Sequence, residues 1–138
     1  MARKIFFSFH YADIMNANIV RMSGEFKPTR ETGFYDASLW EEAKRHGDAA
    51  VRRLIDDGLY NTSVTVFLVG QQTYSRTWCI YERDKSIQDK KGLLGIQLPN
   101  EKAVGPNTWL TNYGIPVYNW NHESFAAWLE DVARRAGR

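Results

Sequence analysis

Apolar residues recur along this chain with two different periods, and segments of one period alternate with segments of the other. Ile5-Phe6-Phe7-Ser8-Phe9 is nearly continuous in apolar character, the pattern of a strand covered on both faces. Ser63 to Val69 reads Ser-Val-Thr-Val-Phe-Leu-Val, rich in β-branched residues and closed by Gly70. Leu93 to Leu98 is a third strand, entered through Gly92 and ended by Pro99. Ile115 to Trp120 is a shorter fourth, and Gly33-Phe34-Tyr35-Asp36 is the weakest of the five. Between them the helical period appears. Asp48 to Leu59 puts Val51, Leu54, Ile55 and Leu59 on one stripe and Arg52, Arg53, Asp56 and Asp57 opposite it, with Gly58 as the stop. Arg76 to Lys90 is a second helical stretch. Asn121 to Ala136 is the clearest, with Phe125, Trp128, Leu129 and Val132 at i, i+3, i+4 and i+7. Asn121 suits its cap, Glu123 its first turn, and Arg134 and Arg135 its last. Residues 12 to 22 form a less regular helical stretch.

Strands alternating with helices predict an α/β fold: a flavodoxin-like parallel sheet of about five strands with helices on both faces, in one domain over residues 1–138. Ligands of such sheets sit beyond the carboxyl ends of the strands. That rule points to Phe9-His10-Tyr11, Asp36 to Trp40, Gly70 to Thr73 and the stretch from Pro99 to Asn112.

Composition narrows the classes of function. The 138 residues carry 18 basic and 16 acidic groups, a net charge of +2 that is too small for a nucleic-acid footprint. No apolar run reaches membrane-spanning length. Met1-Ala2-Arg3-Lys4 leads straight into the first strand with no apolar leader, so a soluble, cytoplasmic protein is expected. The single cysteine, Cys79, excludes an internal disulfide and a multi-cysteine metal cage. His10, His46 and His122 lack ligand spacing, so no metal site is expected. No G-x-G-x-x-G follows the first strand and no P-loop is present, which argues against hydride-transfer and nucleotide-hydrolysing folds. A phosphoacceptor receiver would need acidic residues after the first and central strands. Phe9-His10 and Gly70-Gln71 stand there instead.

The segment richest in chemistry is Tyr74-Ser75-Arg76-Thr77-Trp78-Cys79-Ile80-Tyr81-Glu82. Trp78 and Glu82 are four residues apart and share a helix face, which sets a carboxylate beside an apolar wall. Spacing alone is met as well by a core tryptophan and a surface glutamate that pairs with Ser86 or a nearby base.

The combination of Phe6-Phe7-Ser8-Phe9-His10, Phe34-Tyr35-Asp36-Ala37-Ser38, a β-branched strand, and Ser75-x-x-Trp78-Cys79-x-x-Glu82 resembles TIR domains. Asp36-Ala37-Ser38-Leu39-Trp40-Glu41, Asn61-Thr62-Ser63-Val64-Thr65 and Gly105-Pro106-Asn107 bring it closest to the TIR-like proteins of the bacterial Thoeris anti-phage system, over nearly the whole chain. The resemblance implies an enzyme that takes NAD as substrate, needs no further cofactor and releases nicotinamide. It also implies, for some members, cyclisation of the remaining ADP-ribose into a diffusible signal that activates an effector protein after a phage trigger. The catalytic group implied is the glutamate of the W-C-x-x-E helix, Glu82. A fixed carboxylate suits this reaction, because nicotinamide leaves as a neutral base while positive charge builds on the ribose. The region from Glu25 to Trp40 departs from the loop that drives assembly of TIR domains, although self-association is expected. Two other classes fit the pattern: a non-catalytic TIR-like adaptor, and a nucleoside deoxyribosyltransferase, which shares the architecture and a glutamate.

Seven further residues are expected at the substrate. Phe6, Ser8 and His10 share one parity of the first strand. Asp36 suits a sugar hydroxyl, although Asp36 and Ser38 also suit a turn, with Ser38-x-x-Glu41 as a capping box. Trp78 supplies the wall beside Glu82. Asn107 lies in a Gly-Pro-Asn-Thr turn at the expected cleft. Trp40 and Trp109 suit either base stacking or core packing.

Overall fold

The computed structural model describes residues 5–9, 16, 19–20, 42–60, 62–70, 73, 77–99 and 107–137. They form a parallel sheet of β1 (Ile5–Ser8), β2 (Val64–Val69), β3 (Gly92–Gln97) and β4 (Val117–Asn119), in the order β1-β2-β3-β4. The longer helices are α1 (Asp48–Leu59), α2 (Thr77–Gln88) and α4 (His122–Arg135), and α3 (Thr108–Thr111) is a single turn. Residues 42–45, 16 and 19–20 are also helical. β1, β2 and β4 lie within the expected strands, each trimmed at one or both ends, and β3 is shifted one residue toward the N-terminus. The weak strand Gly33–Asp36 falls outside the described residues. Among the described residues no helix is long and apolar enough to cross a membrane.

Helices cover both faces of the sheet, as strand parity shows. Ile5, Phe7, Val64, Val66, Leu68, Leu94 and Ile96 point to one side, where Phe125, Leu129, Val132 and Ala133 of α4 meet them. Each large apolar side chain so buried contributes about 1.5–3 kcal/mol. On the other face Phe6 packs against Val51, Ile55 and Leu59 of α1. Phe67 and Val69 pack there against Cys79 of α2 and Trp109 and Leu110 of α3. The central strands are therefore apolar on both faces, which is why their sequence runs show no alternation.

The expected cap of α4 is present: the backbone N–H of Ser124 donates to Asn121 Oδ1 at 3.0 Å. The end of α1 differs from expectation. Gly58 lies inside the helix, which runs on to Leu59 and stops where Tyr60 takes extended backbone. A tertiary contact closes it. Lys91 is 7% exposed, and its ammonium donates to the carbonyls of Leu59 and Thr62 at 2.7 Å and to Thr62 Oγ1 at 2.9 Å. A cation on the last carbonyls of a helix does from another element what a local glycine cap does within the chain.

Candidate active site

The helix carrying Trp78-Cys79-x-x-Glu82 begins at Thr77 and lies over β2 and β3, reaching β1 through a side-chain bond. Two side-chain pairs lock its register on the sheet. Ser86 and Thr65 share a hydrogen bond of 2.8 Å in mid-strand. One turn nearer the helix start, the Ser8 hydroxyl donates to Glu82 Oε1 at 3.3 Å. Ser8 is the cross-strand partner of Phe67, two residues beyond Thr65. Four helical residues rise about 6 Å, and two strand residues rise about 6.6 Å. The spacings match, so α2 runs back over the sheet and holds Glu82 above the carboxyl end of β1. This is the edge where open parallel sheets take their ligands.

Glu82 is 1% exposed. This removes the reading of a surface glutamate paired with Ser86, which spends its hydroxyl on Thr65. Trp78 turns toward α1, half-buried against the Phe6 cluster and edge-on to Tyr81 with ring centroids 5.8 Å apart. Next to it the Tyr81 hydroxyl donates to Asp56 Oδ1 at 2.9 Å and ties α2 to α1. Burial, then the Asp56 carboxylate, hold the Tyr81 phenol above its usual value of 10.0.

Arg83, the residue after Glu82, is 8% exposed and reaches the other way. Its Nη1 donates to the Trp109 carbonyl at 2.9 Å, and its guanidinium carbon sits 4.4 Å from the centre of the Tyr113 ring. Nε and Nη2 donate to Asp84 Oδ1 at 2.9 and 2.7 Å. Consecutive residues of α2 thus hold β1 and α3. Trp109 in turn sets its ring edge-on to Phe67, centroids 5.6 Å apart. Because Phe67 stands beside Ser8 in the sheet, the indole and the carboxylate lie over neighbouring strands on one face.

The end of β2 is shaped by two more bonds. The Gly70 N–H donates to Thr73 Oγ1 at 2.7 Å, and Gln97 Nε2 donates to the Val69 carbonyl at 3.2 Å. Asn107 precedes α3 and accepts the first helical bonds through its backbone carbonyl. Its side chain makes no capping bond, and its Oδ1 is buried with no hydrogen-bond partner among the described residues.

Of the sequence-predicted residues, the structure brings together Ser8 and Glu82. Phe6 lies in mid-strand, wholly buried against α1. Trp78 faces the same cluster. His10, Asp36 and Ser38 lie outside the described residues, as does Trp40. Arg83 escaped the sequence reading, because a residue one position from a candidate shares no helix face with it and carries no periodic signal. An open cleft of about 460 Å³ lies at the opposite edge of the sheet, lined by Asp56, Asp57, Tyr60, Lys85 and Asp89 beside Lys91. Its buried ammonium is engaged in closing α1, and that edge is the amino end of the strands.

Comparison with known proteins agrees with this arrangement. Residues 6–103 match the family model described as Thoeris protein ThsB, TIR-like domain. A protein of Bacillus cereus (strain MSX-D12) named "Putative cyclic ADP-D-ribose synthase ThsB1" is 44% identical over 117 residues, covering 78% of this chain. The match takes in 61% of that relative, so the chain spans about three fifths of its length. The parallel α/β sheet, the glutamate helix above its carboxyl edge and the matching family model place the chain in the TIR-like domain family of the Thoeris protein ThsB.

Proposed function

We propose that this chain consumes NAD, cleaving the nicotinamide–ribose bond and closing the remaining ADP-ribose into a cyclic product, with Glu82 as the catalytic carboxylate. The observation that carries the reading is the placement of Glu82: nearly fully buried, bonded by Ser8, and set over the carboxyl edge of the sheet. The name of the Bacillus cereus relative supports the cyclic product. In the reaction the C1′–nitrogen bond breaks and its electron pair stays on the ring nitrogen, so nicotinamide leaves neutral. Positive charge builds on the ribose, and a carboxylate in a water-poor site stabilises it far better than one in bulk water. A nucleophile on the same molecule then attacks C1′ and gives the ring; water in its place gives linear ADP-ribose. Ser8 holds the carboxylate still, which spares reorganisation as charge develops. The cyclic nucleotide then serves as a diffusible signal to an effector protein in cytoplasmic antiviral defence.

The test is Glu82→Gln. Glutamine keeps an acceptor for Ser8 and nearly the same shape while losing the charge. Nicotinamide release should fall on the order of a hundredfold or more, with an unchanged thermal midpoint and no cyclic product by mass spectrometry. Undiminished turnover in the folded variant would remove Glu82 from the chemistry. Wild-type protein that releases no nicotinamide under any condition would leave an interaction module as the reading.

A further inference from the structure

Trp109 is held through its carbonyl and its ring, yet the one polar atom of its side chain has no hydrogen-bond partner among the described residues. The residue is 9% exposed, its ring is edge-on to Phe67, and its carbonyl is held by Arg83. Its Nε1 is buried with no hydrogen-bond partner among the described residues. An indole nitrogen only donates, so no rotation turns this atom into an acceptor. A buried donor left unmade is a standing cost to the folded state, and native proteins keep few of them. Packing does not account for it, because a phenylalanine would fill much of the same apolar cluster of Phe67, Val69, Cys79, Leu110 and Ile115 without that cost. Its position does offer a reason. Arg83 ties Trp109 to α2 one residue from Glu82, and Phe67 beneath the indole is the strand neighbour of Ser8 beneath the carboxylate.

We propose that Trp109 Nε1–H is a substrate-recognition donor of the Glu82 site, taking an oxygen acceptor of the nicotinamide dinucleotide. This rests on the NAD-consuming reading above. The acceptor is the carboxamide oxygen of nicotinamide or an oxygen of the ADP-ribose part, and the ligands used in the test separate the two. The bond forms only in the complex, so the unliganded protein holds the donor unmade.

The decisive variant is Trp109→Phe, which keeps an aromatic ring against Phe67 and deletes the N–H. Its thermal midpoint should equal or exceed that of the wild type, because no protein hydrogen bond is lost. Its KM for NAD should rise, on the order of threefold to tenfold, as for one lost hydrogen bond to an uncharged acceptor. Calorimetric titration with nicotinamide alone and with ADP-ribose alone identifies the acceptor: the ligand whose Kd weakens by that factor carries it. An unchanged KM with both Kd values unchanged overturns the proposal and leaves Trp109 as core. A KM that rises together with a clearly lowered midpoint also overturns it, since the N–H would then serve the fold. If wild-type protein turns over NAD and Trp109→Phe behaves identically, this inference alone fails. If wild-type protein is inactive on NAD, the function fails, and the two titrations still decide the donor.

Discussion

Burial gives two residues of α2, Glu82 and Ser86, opposite meanings although both hydrogen-bond to the sheet. Ser86 and Thr65 satisfy each other in mid-strand, one hydroxyl to another, and such a pair contributes about 0.5–1.5 kcal/mol without further consequence. Glu82 receives the Ser8 hydroxyl at the strand end, where a parallel sheet leaves room for a ligand, and a carboxylate there has chemistry to offer. Asn107 falls between these cases. Its backbone serves α3 while its buried Oδ1 is unused among the described residues. Asn107→Ala should therefore cost less than about 1 kcal/mol of stability, the side chain making no cap, while on the proposed function NAD turnover per molecule falls several-fold. Urea unfolding and nicotinamide release on the same preparations check this; a large stability loss with unchanged turnover would make Asn107 a structural turn residue. At this scale the sequence named Glu82 and Asn107 through a motif resemblance. It had no means of showing that Trp109 keeps an idle donor, because a hydrogen-bond partner belongs to a place in space and not to a residue type.

Elements were legible in proportion to how apolar their buried faces are. The α4 helix buries Phe125, Leu129, Val132 and Ala133, so its stripe, cap and extent could be read within a residue. The inward residues of α2 are Cys79, Glu82, Arg83 and Ser86, three of them polar. Its helical period is therefore blurred by the same residues that make the site. The meeting of α4 with β3 gives a test at this scale. A Cβ built on Gly92 comes within 2.9 Å of the Val132 carbonyl oxygen and 3.0 Å of the Ala133 nitrogen. Both are backbone atoms of a helix and neither can move aside alone. Gly92→Ala should lower stability by about 1–3 kcal/mol by pushing α4 off the sheet. Near-ultraviolet dichroism should weaken with it, since Trp120 and Trp128 pack in that layer. Unfolding midpoints equal to wild type would show that the helix shifts freely.

For the whole molecule, the closed state of the site sets the expectation for activity. A lone carboxylate on an open face would be weak because water screens it, and a neighbouring subunit would activate it by drying it. At 1% exposure Glu82 is already dry. On the proposed function, substrate reaches that carboxylate only after the chain around it rearranges, so opening of the site precedes its closure on NAD. On the proposed function, nicotinamide release per subunit should be low in dilute protein and rise several-fold with protein concentration or with a phage component that favours the open form. Progress curves across a hundredfold range of protein concentration, with light scattering on the same samples, test this. Fast turnover independent of both would show that the isolated chain opens readily by itself.

The sequence by itself determined the parallel α/β layout, the extents of α1, α2 and α4 to within two residues and the family. Each follows from local period, caps and motif residues, which are properties of neighbours along the chain. Tertiary structure alone decided that Glu82 is buried and faces Ser8, 74 positions away. It decided that Lys91 closes α1, and that Arg83 joins the glutamate helix to Trp109. Burial and hydrogen bonding between distant residues depend on how helices dock on a sheet, and period along the chain does not encode which side chains docking brings face to face.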